Sequence, residues 1–133
     1  MIITSTKVDV NATQEVVQAF LTDSHNILHL MPQDKISDWK STSTECSFKV
    51  QGGVIITLIQ DGIEGVDKVF MKSGEKSPFP FKLTLHINNN GEKSNGYIEF
   101  DGEVNMFLKM MVEKPLTNLF NHMSEKLQEY FKL

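Results

Sequence analysis

The 133 residues, 40% hydrophobic and 23% charged, have a globular composition and the length of one domain covering 1–133, which excludes a disordered or collagen-like chain. The net charge is -4 and all 13 basic residues are lysine, so no guanidinium is present to grip a phosphate in bidentate fashion, and nucleic acid is not an expected partner. Apolar runs such as 54–56 are far shorter than the roughly 18 residues that cross a bilayer, and the single Cys46 rules out an internal disulfide; a cytoplasmic protein with no integral membrane association is expected.

In chain order, IITSTKVDV (2–10) alternates, with Ile2, Val8 and Val10 on one face and Lys7 and Asp9 on the other, the pattern of a half-buried strand. Asn11 opens NATQEVVQAFL, where a capping residue followed three positions later by Gln14 has the form of a capping box, and Val16, Val17, Phe20 and Leu21 supply helical spacing. Asp23 or Ser24 caps a second short helix, HNILHLM, which Pro32 stops. From residue 36 the period falls to two through ISDW, ECSFKV, VIITLIQ, VDKVFMK, FKLTLHI and GYIEFDGEV. An antiparallel meander is predicted, with turns at Gln51-Gly52-Gly53, Asp61-Gly62 and Asn89-Asn90-Gly91. In FKLTLHI, Phe81, Leu83, Leu85 and Ile87 share one face while Lys82, Thr84 and His86 share the other, so one face of the sheet is apolar and needs a cover. The alternation through Cys46, Phe48 and Val50 makes Cys46 a small buried apolar residue rather than a reactive thiol.

The C-terminal segment is the one candidate long enough to be that cover. Leu116, Leu119, Phe120, Met123, Leu127, Tyr130 and Phe131 fall within an arc of about 120° at helical spacing and form a core-facing stripe. Projected backwards, that stripe would carry Lys109 and Glu113, while Val104, Phe107, Leu108, Met111, Val112 and Pro115 centre about 110° away. Pro115 removes a donor and clashes with the carbonyl of Met111, so a bend or local unwinding is expected there, turning the apolar surface. Upstream of it, Met106, Met110 and Met111 spread apolar surface round most of the helix. That is more than one core stripe requires, and methionine adapts to irregular partners such as a ligand.

One strand, two short helices, a long antiparallel meander and a long C-terminal helix together resemble the START-related helix-grip fold, the SRPBCC or birch-pollen-allergen-like superfamily, in its small bacterial-type form. The likeness spans the whole chain and is strongest in VNATQEVVQAFLTDSHNILHLMP, similar to the family's opening strand, Val and Leu helix, Asp and Met-Pro, and in KPLTNLFNHMSEKLQEYF at the end. It implies an α+β fold in which a curved antiparallel sheet of about six or seven strands grips the long C-terminal helix, with two short helices after the first strand. It further implies a cavity between sheet and helix for a sterol, fatty acyl, flavonoid or polyketide-like molecule, whose mouth lies near the helix turns before Pro115. Members that are cyclases or dehydratases place ionisable residues in that pocket, often including an Arg, which this chain lacks.

The leading expectation is therefore binding or carriage of a small hydrophobic or amphipathic molecule, lipid- or polyketide-like, without covalent chemistry. Its expected wall is Leu28, Met31, Trp39, Phe48, Phe81, Leu83, Met106, Phe107, Met110 and Met111. An enzyme on the same fold would need an ionisable group in the pocket, and Lys109, Glu113 and His86 are the candidates. Against them, Lys109 and Glu113 read as a solvent-facing i, i+4 pair and His86 as a residue of the solvated sheet face. A third possibility is an interaction module, including a homo-oligomer, that uses the methionine-rich helix surface. His25 and His29 have i, i+4 spacing but no H-E-x-x-H context, and Glu99 and Asp101 alternate onto the solvated face. No phosphate loop, catalytic triad, haem signature or zinc signature stands out, so neither a cofactor nor a metal is expected.

Overall fold

The structure is a computed structural model that describes residues 1–50 and 53–132. Its sheet is antiparallel and eight-stranded. β1 (Ile2–Thr4) and β2 (Val8–Val10) both pair with β8 (Lys93–Gly102), and β7 (Phe81–Asn90), β6 (Lys68–Ser73), β5 (Ile55–Glu64), β4 (Glu45–Val50) and β3 (Ile36–Ser41) follow in that order to the far edge. α1 (Gln14–Thr22) and a 3-10 segment, Ser24–Leu30, come between β2 and β3, and α2 (Met106–Tyr130) ends the chain. Alternation does the work the sequence promised: Phe81, Leu83, Leu85 and Ile87 of β7 and Ile98 and Phe100 of β8 are buried on the face that α2 covers. Against them lie Leu116, Leu119, Phe120, Met123 and Leu127 of α2. Each such side chain contributes about 1.5–3 kcal/mol when taken out of water.

Three local expectations are corrected. The first strand is two strands, and Ile3 rather than Ile2 faces inward, Ile2 being 59% exposed. Between them Ser5 is buried: its N–H donates to the Ile98 carbonyl at 2.8 Å, its Oγ accepts from the Ile98 N–H at 2.7 Å and bonds to Ser124 Oγ at 2.8 Å. That polar knot fixes the phase of β1, and the chain must shift by one residue before Val8 and Val10 point inward again. Second, α1 begins at Gln14 with Thr13 as its cap, so Gln14 belongs to no capping box. Its amide instead reaches across to the sheet. Third, Asp61 and Gly62 make no hairpin but lie inside β5, at the register shift between Gln60 and Ile63, where Gly62 has φ 99°. A bulge with a positive-φ glycine uses the same residue type as a turn. The actual β5–β6 turn is closed by Gly65, φ 53°, and by the Asp67 N–H donating to the Glu64 carbonyl.

The turn at 89–91 is a hairpin as predicted, with Asn90 paired to Lys93 and Gly91 at φ 72°. Of the Gln51-Gly52-Gly53 turn, Gln51 and Gly52 lie outside the described residues; the Gly53 N–H donates to the Val50 carbonyl. The second short helix is the 3-10 segment, capped by Asp23, whose carboxylate accepts from the His25 N–H at 3.1 Å.

α2 starts at the Asn105 cap, whose side chain accepts from the Leu108 N–H at 2.9 Å, and runs through Pro115 without interruption. The expected unwinding is absent. Apolar packing nevertheless does rotate upstream of the proline: Val112 is buried and Leu108 partly buried, while Lys109 and Glu113 are about half exposed. Half exposed, the two charges stay solvated and avoid the desolvation cost of a buried pair.

Candidate functional site

Beneath the second half of α2, where the fold resemblance implied a cavity, the space among Leu21, Leu30, Leu85, Ile98, Met123 and Leu127 amounts to about 20 Å³. That is room for one water molecule. Met31, Phe48, Phe81 and Leu83 are buried parts of the core. Trp39, half-buried, stacks on Phe48 with ring centroids 5.9 Å apart, and Leu28 is partly buried on the 3-10 segment.

A larger space opens at the edge of the helix. A cleft of about 310 Å³ runs between α2 and the chain from Pro32 into β3, lined by Pro32, Asp34, Lys35, Ile36 and Val50 on one side and by Pro115, Asn118, Leu119 and His122 on the other. The volume falls at the small end of the range for ligand pockets, about 300 to 1,000 Å³. Pro32 ends the 3-10 segment and the Lys35 N–H donates to its carbonyl at 2.8 Å, so the near wall is a tight turn rather than a loose loop. The far wall is one helix face, since positions 115, 118, 119 and 122 have i, i+3, i+4, i+7 spacing. Pro32, Ile36, Val50, Pro115 and Leu119 supply its apolar surface, and Asp34, Lys35, Asn118 and His122 make the rest of the lining polar. His122 adds a further polar feature: its Nε2 is buried and has no hydrogen-bond partner among the described residues. A buried polar atom left unpaired costs about 1–3 kcal/mol, which makes it a place where a ligand group can add affinity.

The sequence placed the pocket wall elsewhere. Met106, Phe107, Met110 and Met111 are exposed and line neither the cleft nor the core. Lys109 and Glu113 form a surface pair at 3.8 Å, outside the cleft. His86 is on the outer sheet face as its alternation implied, yet only 14% of its side chain is exposed: it stacks on Tyr97 with centroids 4.4 Å apart and shares a hydrogen bond of 2.9 Å with Glu99. None of these three groups reaches the cleft. The cleft is lined, with Pro115, by Pro32, Asp34, Lys35, Ile36, Val50, Asn118, Leu119 and His122, which the sequence reading did not name as pocket candidates. A signal existed in the Pro115, Asn118, Leu119, His122 ridge, which flanks the core stripe and ends in the one histidine of α2.

A second depression of about 500 Å³ lies on the outer sheet face between Lys40, Glu45, Thr57, Ile59 and Lys76. It brings together no unpartnered buried group among the described residues. His25 bonds through Nδ1 to Ser41 Oγ at 2.7 Å, whereas His29 packs in an aromatic group with Phe20 and Tyr130. No group of three or more His, Cys, Asp or Glu among the described residues is placed to hold a metal. Nor is any described helix long and apolar enough to cross a membrane. Cys46 is buried on β4, and desolvation, with a smaller contribution from Glu45, pushes its thiol from 9.0 up to about 12. It should resist alkylation at pH 8 in the native protein and react on unfolding. Since the folded pKa lies above the unfolded one, the thiol's contribution to stability should be lost as pH rises above 9, a trend that denaturant titration across pH 8–11 of wild type and Cys46→Ala would reveal.

No family model matches the chain, and no curated protein matches its sequence. Its structure is similar to a START superfamily protein from Mycobacterium smegmatis, with TM-score 0.69 and 14% identity over 98% of this chain and 96% of that one. It is also similar to the KanY protein, TM-score 0.77 and 14% identity over 98% and 97%, and to a protein from Thermus thermophilus, TM-score 0.71 and 14% identity over 97% and 95%. At that identity the likeness speaks for fold and not for activity. With an antiparallel sheet folded against one long C-terminal helix along nearly its whole length, the chain has the helix-grip fold of the START superfamily.

Proposed function

We propose that the protein binds a small amphipathic molecule in the cleft between α2 and the Pro32–Ile36 turn, with no covalent chemistry. The observation that carries this reading is the pairing of a cleft of about 310 Å³, with a mixed apolar and polar lining, with the buried Nε2 of His122, which has no partner among the described residues. The apolar part of the ligand packs on Ile36, Val50, Pro115 and Leu119, and a hydroxyl, carbonyl or carboxylate meets the imidazole. A ligand-binding role is in keeping with a START-type fold.

The test is mass spectrometry of gently purified protein before and after denaturing extraction, with Ile36→Trp as the blocked variant and His122→Phe as the variant lacking the polar partner. The expected result is a near-stoichiometric released molecule in the wild type, lost from Ile36→Trp and reduced about tenfold or more in His122→Phe, the loss of one buried hydrogen bond. Trp39, the single tryptophan and three residues along β3 from Ile36, gives an independent fluorescence readout as the extracted compound is added back. Retention of the same molecule by Ile36→Trp with a native circular dichroism spectrum would place binding elsewhere and sink the proposal.

A further inference from the structure

Four large apolar side chains on the first turns of α2 have no cover: Met106 is 76% exposed, Phe107 71%, Met110 80% and Met111 54%. They form two adjacent i, i+4 ridges, Met106 with Met110 and Phe107 with Met111, within an arc of about 140° at helical spacing. Contiguous apolar area of a few hundred Å² marks an interaction surface.

The charges round the patch decide what fits it. Glu103 lies just before the helix and Lys114 one turn beyond Met110; both are exposed, and neither forms an ion pair among the described residues. Lys109 and Glu113 on the flank pair with each other. Acids and bases are therefore balanced, and the patch lacks the basic excess that draws a helix to an anionic membrane. The order acid, apolar, base is instead complementary to itself when reversed. An antiparallel second copy, related by a two-fold axis between Leu108 and Lys109, sets Met106 against Met110 of the other copy and Phe107 against its Met111. The same axis brings Lys114 beside the other copy's Glu103, at the start of a helix.

We propose that this end of α2 is the contact surface of a homodimer formed by antiparallel pairing of two copies of the helix. An interface built on a few turns of one helix is smaller than the roughly 800 Å² per partner of a standard one, so the dimer is a weak one. Its site is separate from the cleft, and the proposal does not depend on ligand binding.

Sedimentation equilibrium of the full chain from about 1 μM to 1 mM reads it directly, the upper limit being the weak end of the affinity scale. Wild type is expected to pass from monomer to dimer, and Met110→Glu to stay monomeric with an unchanged circular dichroism spectrum. Glu103→Lys and Lys114→Glu should each weaken dimerisation about tenfold, because the two-fold counts every pair twice, and together they should restore it. A wild-type monomer at about 1 mM overturns the proposal. So does a dimer indifferent to Met110→Glu. If the two charge reversals weaken association cumulatively, the antiparallel register is wrong. Flotation of monomeric wild type with phosphatidylglycerol vesicles would assign the patch to a membrane instead.

Discussion

Phe100→Ala is expected to lower stability by about 3–5 kcal/mol. The ring is fully buried and sits at the centre of an aromatic group, 5.1 Å from Phe81, 5.2 Å from Phe120 of α2 and 6.2 Å edge-on from Phe79. It therefore joins sheet, helix and the approach to β7, and none of these neighbours can collapse into the space it would leave. Gly102 is constrained by the same ring. A Cβ there would stand 2.7 and 2.9 Å from the Phe100 ring and 3.3 Å from Phe79, so Gly102→Ala forces a ring that has nowhere to go, at about 1–3 kcal/mol. In a Phe100→Ala background that cost should vanish. Urea denaturation of the two single variants and the double would show it; additive losses would mean that the close approach is not what requires glycine at 102.

The second large effect lies at Gln14. Its Nε2 donates to the Ile87 carbonyl at 2.7 Å and to Asp67 Oδ1 at 2.9 Å, tying α1 to β7 and to the turn before β6. Gln14→Ala leaves that carbonyl buried without the donor and should cost about 2 kcal/mol. Gln14→Glu should be worse near pH 7, by about 2–4 kcal/mol relative to wild type, because a buried carboxylate would face both a carbonyl oxygen and Asp67. The sign of its pH dependence follows. Like charge and burial raise the folded pKa of the new carboxylate above its unfolded value, so the penalty is present above the folded pKa and is relieved as pH falls through it. Thermal melts of the Ala and Glu variants between pH 4 and 8 should cross. Parallel curves would mean that the side chain at 14 has swung out to water.

Gln14 also marks a limit of reading by pattern. Asn11 followed by Gln14 has the form of a capping box, yet Thr13 caps the helix and Gln14 bonds across 73 residues of sequence. Asp61-Gly62 has turn chemistry but occupies a bulge, since glycine at positive φ serves both. Ser5, inside the stretch read as one strand, is buried, and its partner Ser124 comes from the other end of the chain.

The sequence by itself determined the period-two meander, the face of β7 that is buried, the core stripe of α2 from Leu116 to Leu127, though not its extension to the 48% exposed Tyr130, and the helix-grip resemblance. These follow from local spacing, because a side chain's face is set by its own element's period. What only the tertiary structure decided is where apolar surface goes unmatched. Whether Met106 to Met111 wall a cavity or meet solvent depends on how far α2 runs beyond the sheet, and the pattern is the same in either case. The cleft, too, needs two segments some eighty residues apart, Pro32–Ile36 and Pro115–His122, to come together across a gap. A space between elements is fixed by their relative placement, and that is a property of packing rather than of any one element's periodicity.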